Sequence, residues 1–212
     1  TSNPNVRRIN ADRLAIVLGS GIEIEMVRIP AGEFIMGSSQ SQIDELFAKD
    51  REIITQDAMK MLLLSELPQQ RIILDEYWLG KTLVTTEQFL AFTNATSYKT
   101  QAERDRKSWV LTPNGWEEIS LADWKHPYGG SSSLVDKTKH PATHISWDDA
   151  LAFCKWVSSA SKLNVRLPSE AEWEKGSRGI DGRIYPWGNQ GINSSYANYN
   201  MNIGDTTIVG RY

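Results

Sequence analysis

Near the start of the chain, apolar and polar residues alternate along two short segments. The first, IEIEMVRIP, begins at Ile22 and stops at Pro30, and the second, EFIMG, ends at Gly37. A period of two is typical of strands with one buried face, and the Ala31-Gly32 step between the segments is a turn signal. These segments are therefore predicted to form a β-hairpin.

From Ser41 to Glu66 the apolar residues recur at helical spacing, and neither Gly nor Pro interrupts them. One or two helices are predicted there. The next segment, QRIILDEYWLGKTLVT, is rich in residues that favour strands, and Gly80 is a candidate bulge within it. The pattern thus predicts helices and strands in one chain.

Three further segments carry the start signal of a helix, a hydroxyl residue followed three positions later by a residue that can bond back to it. The pairs are Thr85 and Gln88, Ser146 and Asp149, and Ser169 and Glu172. The capping box requires Glu or Gln at the second position, so the pair that ends in Asp149 is the weakest of the three. Each pair predicts the first turn of a helix.

Three carboxylates in the segment RLPSEAEWEKGSRG raise the question of acid/base or metal chemistry: Glu170, Glu172 and Glu174. On a helix that begins after the N-cap Ser169, residues two positions apart are scattered around the axis and do not converge. The N-terminal end of a helix dipole also favours negative charge. We therefore interpret these carboxylates as a helix start and a solvated face.

We assign several other residues to the fold. Trp173 lies opposite the first Glu of this helix and is predicted to pack in the core, whereas Arg166 is expected to pair with a carboxylate or a loop carbonyl. Long segments rich in Gly, Ser, Asn and aromatic residues hold one conformation only when aromatic side chains or an ion anchor them. Because the chain has eight Trp, we favour aromatic anchors and assign structural roles to Trp147 and Trp187.

Length and charge limit the classes of partner. With 212 residues, of which 40% are hydrophobic, the chain can bury a sizeable core. A formal net charge of −3 gives no electrostatic reason to expect nucleic acid or an anionic membrane as partner. No apolar run is long enough for a membrane span, and no signal peptide is visible. We expect a soluble chain and favour a cytoplasmic location.

Cys154 is the only cysteine, so no internal disulfide can form. It lies in DDALAFCKW, on the apolar side of a predicted helix together with Val157. A buried free cysteine behaves as a small hydrophobic residue, and we assign that role to Cys154. His140 and His144 have the spacing of a helical metal pair, but Pro141 places them in a loop or strand, and we do not assign them a metal.

The segment YANYNMNIGD is a better candidate for an ion site. Asn198, Asn200, Asn202 and Asp205 supply oxygen-bearing side chains within a short irregular stretch. Calcium takes such oxygens together with backbone carbonyls. The alternative, a polar surface turn without an ion, stays open.

Taken in order, several blocks resemble the sulfatase-modifying-factor family, whose namesake is the formylglycine-generating enzyme. They run from Met26 to Asn200: MVRIPAGEFIMGS, ILDEYWLGKTLVTTEQFLAFTN, WKHPYGGSSS, HPATHISWDDALAFCKWV, RLPSEAEWEKGSRG, YPWGN and YANYN. The resemblance implies an α+β fold related to C-type lectins, with little regular secondary structure and with buried Trp. It covers the N-terminal two-thirds of such a domain, and the family's later blocks, GNVWEW and RGGSW, are absent from the chain.

The resemblance also implies a domain organisation. Residues 1–20 are expected to be a lead-in, and residues 21–212 a domain that is incomplete at its C-terminus. Residues 41–67 resemble a helical insertion relative to a typical member. Completion of the domain by a C-terminal segment or a second chain is one expectation for a partner.

The family's oxidases convert a sulfatase cysteine to formylglycine at a copper site made by two cysteines in the part that is absent here. One cysteine cannot supply both thiolates, so copper is not expected in this chain. The resemblance therefore favours a non-catalytic, lectin-like module of a larger bacterial-type protein that binds a ligand, a protein or a peptide. The alternative is the N-terminal part of a copper-dependent oxidase. A kinship with iron-dependent sulfoxide synthases would need an upstream iron site that the chain does not supply.

Relatives in this family hold structural calcium with an Asn that matches Asn198. The resemblance therefore implies Asn198 and the carbonyl of Tyr199 as calcium ligands. Asp205 is a weaker match, because this loop is shorter than in the relatives.

Overall fold

Three small sheets and six helices make up the regular structure of residues 3–19, 21–49 and 57–212, which the computed structural model describes. The strands are β1 (Val6–Arg8), β2 (Arg13–Val17), β3 (Glu23–Ile29), β4 (Gly32–Met36), β5 (Gln70–Leu74), β6 (Tyr77–Gly80), β7 (Lys107–Thr112) and β8 (Gly115–Ser120). The helices are α1 (Gln40–Lys49), α2 (Asp57–Leu64), α3 (Thr86–Thr96), α4 (Gln101–Asp105), α5 (Trp147–Ser161) and α6 (Glu170–Arg178). The predicted combination of helices and strands is confirmed.

The chain divides into two compact units. The larger unit contains Thr1–Arg28, Trp78–Leu167 and Ile192–Tyr212, and the smaller contains Ile29–Tyr77 and Pro168–Gly191. Helices α1 and α2 of the smaller unit lie where the sequence predicts one or two helices, and residues 50–56 of that prediction lie outside the described residues. No helix in the described ranges combines the length and the apolar character that crossing a membrane requires.

The predicted hairpin of IEIEMVRIP and EFIMG is wrong, although both strands exist. Strand β3 pairs with β2 in a sheet of order β1-β2-β3-β6, and β4 pairs with β5 in a separate sheet. Strand β2, which lies beside β3 instead, carries Ala15 and Ile16, both almost completely buried, and Ile16 packs in the hydrophobic core. The segment predicted as a lead-in, 1–20, therefore contributes two strands and a core residue to the larger unit.

Aromatic side chains dominate the core of the larger unit. The buried cluster consists of Ile16, Phe89, Phe92, Trp124, Phe153 and Val157. The ring centroids of Phe89 and Trp124 are 5.2 Å apart, and those of Phe92 and Phe153 are 5.7 Å apart, both with edge-to-face geometry. Each such side chain contributes roughly 1.5–3 kcal/mol through burial, so these contacts fix α3 and α5 around one centre.

All three predicted helix starts are confirmed. Thr85, Ser146 and Ser169 are the N-caps of α3, α5 and α6, and each forms a complete capping box. The box at Ser146 closes although its third residue is Asp, because the Asp149 carboxylate accepts the Ser146 N–H at 2.9 Å. A fourth box at α4 pairs Thr100 with Glu103. Its T-x-x-E signal is present in the sequence, and sequence reasoning missed it.

Candidate ligand-binding cleft

A cleft of about 720 Å³ opens in the larger unit. Its lining comes from the β7–β8 hairpin, from segment 127–146 and from segment 198–206, together with residues of α4 and Thr86 of α3. These segments are far apart in the sequence, so only the folded larger unit assembles the cleft.

The β7–β8 hairpin forms because its strands alternate and a two-residue turn, Pro113-Asn114, connects Thr112 to its partner Gly115. Gly115 has a φ of 112°, which suits glycine and few other residues. Leu111 lies directly opposite Trp116 in the register. Trp109 and Trp116 are 59% and 65% exposed, so the outer face of the hairpin presents two indoles. Pro and Asn followed by Gly form a turn signal between two alternating segments, and sequence reasoning missed it.

Strand β7 meets the cleft with its edge as well as with one face. Five consecutive residues, Lys107 to Leu111, line the cleft, whereas β8 contributes only Trp116 and Glu118. Side chains of a strand point alternately to its two faces, so consecutive lining residues indicate that the cleft reaches around the strand edge. In the described part of the chain β7 pairs with β8 alone, which leaves the backbone groups of this edge without a strand partner.

A charged network forms another part of the lining. Lys137 Nζ is 2.6 Å from one carboxylate oxygen of Asp205, and the Tyr128 hydroxyl donates to the other at 2.9 Å. Burial opposes ionisation of Asp205, but the bonds from Lys137 and Tyr128 outweigh it and lower the pKa of this carboxyl. Burial and the bond to Asp205 raise the pKa of Tyr128 to about 12. This network ties segment 198–206 to segment 127–146.

Two histidines line the cleft, and both lie outside helices as the sequence predicts. His140 Nδ1 is 2.8 Å from the hydroxyl of Thr206. His144 Nδ1 is 2.9 Å from the hydroxyl of Ser108, and its Nε2 is 3.0 Å from the carbonyl of Pro127. Burial lowers the pKa of His144. Among the described residues, no three His, Cys, Asp or Glu side chains form a group that could hold a metal.

The three predicted calcium ligands, Asn198, Tyr199 and Asp205, all line the cleft. The Asn198 amide donates to the Asp205 carbonyl at 2.7 Å. The carboxylate of Asp205 accepts from the ammonium of Lys137, so a calcium ion at Asp205 would share these oxygens with that ion pair. The carbonyl of Tyr199 accepts the N–H of Asn202 at 3.0 Å and has a second lone pair. Calcium binding stays a prediction that rests on Asn198 and Tyr199.

Four other residues that the sequence assigns to the fold lie in different environments. Trp187 stacks on Tyr185 with centroids 4.9 Å apart, and Arg166 donates to the Leu167 carbonyl at 3.1 Å, as expected for a loop carbonyl partner. Trp147 is 68% exposed and anchors no core. Cys154 is half-buried, its burial raises the pKa of the thiol, and it is absent from the cleft lining in the part of the chain that the structure describes.

The prediction that Trp173 packs in the core is wrong, because its side chain is 62% exposed. The inward face of α6 is set by Glu172, which closes the capping box with Ser169, and by Lys175. The Lys175 ammonium donates to the carbonyls of Pro30 and Gly32 at 2.8 and 2.9 Å. Trp173 follows Glu172 by one residue, about 100° further around the helix, and therefore faces outward.

The solvated-face interpretation of the α6 carboxylates is also wrong for two of them. Glu172 is buried, and Glu174 accepts from the Gly37 N–H at 2.8 Å and from Arg178 at 2.6 Å. Glu172 and Glu174 stabilise the smaller unit through hydrogen bonds to its backbone. Only Glu170 is exposed to solvent.

Comparison with known proteins gives one family. The protein-family model described as "Sulfatase-modifying factor enzyme 1-like domain" matches residues 21–208 of the sequence. The chain is 34% identical over 184 residues to a formylglycine-generating enzyme of Mus musculus, covering 78% of this chain and 43% of the relative. A formylglycine-generating enzyme of Thermomonospora curvata is 34% identical over 182 residues, covering 78% and 52%.

The chain is also similar to a protein of Bos taurus described as an inactive C-alpha-formylglycine-generating enzyme 2. That protein is 29% identical over 191 residues, covering 82% of this chain and 55% of the relative. The chain thus spans about half the length of these curated relatives. Among solved structures, PvdO from Pseudomonas aeruginosa aligns with a TM-score of 0.49 and 20% identity, covering 87% of this chain and 59% of that chain.

Proposed function

The chain belongs to the sulfatase-modifying factor family. From that premise we propose that these residues do not carry out the copper-dependent oxidation and form instead a binding module, with a lectin-like arrangement, that receives an extended peptide in the cleft along β7. The observation that carries this proposal is the edge of β7, which faces the cleft through five consecutive residues. An extended peptide can add to such an edge as a further strand.

The chemistry of the lining suits a peptide. Backbone bonds to the β7 edge supply affinity without sequence preference, and pockets for alternate side chains supply selectivity. The indoles of Trp109 and Trp116 offer apolar surface, which suits an apolar residue of the peptide. Five residues of β7 correspond to roughly 17 Å of extended chain, so the peptide needs a core of about five residues.

The single thiol argues for a binding role over copper chemistry in these 212 residues. Cu(I) is held by soft thiolate ligands, and the chain supplies only Cys154. That thiol is half-buried and its pKa is raised by burial, so it is a poor ligand and a poor nucleophile. The residues present do not fit a copper site.

A random heptapeptide library displayed on phage tests the proposal. We expect enriched peptides with an extended, alternating pattern. Replacement of Trp109 with Ala should weaken their binding at least tenfold, or about 1.4 kcal/mol. Trp173→Ala is the matched control, because Trp173 is equally exposed and belongs to the smaller unit.

Methylation of single peptide nitrogens makes the test specific for strand addition. In a strand, successive N–H groups point to opposite sides, so methylation at every second position should abolish binding and methylation at the others should not. A peptide that tolerates methylation at every position would contradict the proposal. So would the absence of any enriched sequence that Trp109→Ala affects.

A second candidate function rests on the sequence comparisons. The two formylglycine-generating enzymes are 34% identical to the chain, against 29% for the relative described as inactive. We therefore keep the alternative that the chain is the N-terminal part of a copper-dependent oxidase that acts on a sulfatase cysteine. Incubation of the natural full-length protein with copper, oxygen and a cysteine-containing peptide, followed by mass spectrometry, would reveal formylglycine.

The partner can also be a polypeptide segment or second chain that completes the domain. The intact mass of the native protein, compared with the 23.9 kDa of this chain, distinguishes these cases. A larger covalent mass supports a further segment, and a second co-purifying polypeptide supports a partner chain.

A further inference from the structure

Ser108 and His144 form a hydrogen-bonded pair inside the cleft. Ser108 lies on β7, His144 precedes α5, and both line the cleft. The Ser108 hydroxyl oxygen is 2.9 Å from His144 Nδ1. That distance is within the range over which a general base removes a proton from a nucleophile.

The Pro127 carbonyl determines which imidazole nitrogen bears the proton. A carbonyl oxygen only accepts, so the 3.0 Å contact requires that His144 Nε2 donates to it. In the neutral ring Nδ1 is then the acceptor, and the Ser108 hydroxyl must donate to it. Burial lowers the pKa of His144, which favours this neutral ring at physiological pH. The carbonyl holds the base in the orientation that a proton transfer from Ser108 needs.

The backbone at His144 is strained. Its φ is 57°, in the left-handed region that non-glycine residues rarely occupy. Such strain costs roughly 1–3 kcal/mol and is typical of functional sites. Here it accompanies the position of the imidazole between the hairpin and segment 127–146.

We propose that Ser108 is a nucleophile and His144 its general base, and that the pair transfers acyl groups from carboxylic esters that enter the cleft. A nucleophile whose base is oriented by a third group is the arrangement on which acyl transfer depends. Val110, on the same face of β7 as Ser108, lines the cleft together with Leu134 and Ile145, and this apolar surface favours esters with an aryl or alkyl group. This inference does not depend on peptide binding in the same cleft.

The reaction has two steps. Ser108 Oγ attacks the ester carbonyl carbon while its proton passes to His144 Nδ1, and the carbon–oxygen bond to the alcohol then breaks as the imidazolium returns the proton to the departing oxygen. In the second step His144 Nδ1 takes a proton from water while the water oxygen attacks the acyl carbonyl carbon. The bond from that carbon to Ser108 Oγ then breaks as the imidazolium returns the proton to Oγ, so the acid leaves with Ser108 and neutral His144 restored. The sum is ester plus water to acid plus alcohol, without an oxidant or reductant.

A serine-reactive fluorophosphonate tests the nucleophile directly. We expect the folded wild-type protein to form one adduct, located on Ser108 by mass spectrometry of its peptides. The adduct should form at least about 100-fold faster than in the same protein unfolded in urea, since a general base contributes a factor of that order. This comparison needs no variant and therefore does not depend on whether a variant folds.

Variants then separate catalysis from structure. Ser108→Ala should remove the adduct, and His144→Gln, which retains a donor for the Pro127 carbonyl, should slow it about 100-fold. Ser133→Ala, at an exposed serine of segment 127–146, is the control and should leave the rate unchanged. Hydrolysis of p-nitrophenyl acetate should follow the same order. Labelling of Ser108 no faster in the folded than in the unfolded protein, or equal labelling of folded His144→Gln, would overturn the proposal.

Discussion

The carboxylate of Glu103 is predicted to stabilise the larger unit by an amount that depends on pH. Its side chain is 10% exposed. It accepts from the Thr100 N–H at 3.0 Å, and from the indole of Trp124 and the ammonium groups of Lys125 and Lys99, each at 3.2 Å. Burial alone would raise the pKa of Glu103, but the bonds from Thr100 and the two lysines outweigh it and hold the pKa at about 2, below its ordinary 4.5.

The size of this stabilisation follows from the thermodynamic linkage between the protonation of Glu103 and folding. One pKa unit corresponds to about 1.4 kcal/mol, so a shift of this size gives at most about 3 kcal/mol, and solvent screening around the partly exposed lysines reduces it to about 2 kcal/mol. Because the folded pKa of Glu103 is the lower one, the stability is present above about pH 4.5 and is lost as the pH falls to about 2.

Urea unfolding of the wild type and of Glu103→Gln at a series of pH values measures this contribution. We expect Glu103→Gln to cost about 2 kcal/mol at pH 7 and the difference to shrink toward zero near pH 2. Glu118→Gln is the matched control, because it makes the same change in the exposed ion pair with Lys107 of the same unit and should cost less than about 1 kcal/mol. Equal costs for the two variants at pH 7, or a pH-independent cost of Glu103→Gln, would refute the reasoning.

Three further predictions concern single side chains. Trp124→Ala should lower the unfolding free energy by about 3–5 kcal/mol in urea titrations, because Trp124 is fully buried, whereas Trp173→Ala, at an exposed indole, should change it by no more than about 0.5 kcal/mol. Calcium at a hundred times its dissociation constant should add about 2.7 kcal/mol of stability, and Asn198→Ala should abolish that gain; a melting temperature indifferent to calcium and chelator removes the site. The thiol of Cys154 should react slowly with a thiol reagent until the protein is unfolded, because burial raises its pKa, and fast native-state labelling would show an accessible thiol.

Sequence reasoning succeeded where the decisive interactions are local. The capping boxes at Thr85, Ser146 and Ser169 join residues only three positions apart, so the sequence contains both partners and the helix starts could be predicted. The same holds for the strand character of β3 and β4, because a period of two is a property of each segment alone. The box at Thr100 and the Pro-Asn turn of the hairpin were equally local and could have been found.

The pairing of strands was decided by tertiary structure. A period of two shows that a segment has one buried face, but it does not identify the partner strand. Pairing β3 with β2 buries Ile16 in the aromatic core, and that gain depends on α3 and α5, which lie far along the chain. The orientation of Trp173 was decided in the same way, by the carbonyls of Pro30 and Gly32 that bind Lys175.

The cleft belongs wholly to the tertiary structure. Ser108, Pro127 and His144 have no recognisable spacing in the sequence, yet the fold places the hydroxyl and the carbonyl on the two nitrogens of one imidazole. The edge of β7 is available only because the chain leaves the hairpin without a third strand in its described part. The amino-acid sequence alone determined the helix starts and the strand segments, because those depend on neighbouring residues, and it determined the family, because the family's blocks occur in order along the chain. Contacts between distant segments decided which strands pair, which helix faces are buried and where the cleft forms. Local sequence patterns are compatible with several such arrangements, and burial and hydrogen bonding select one of them.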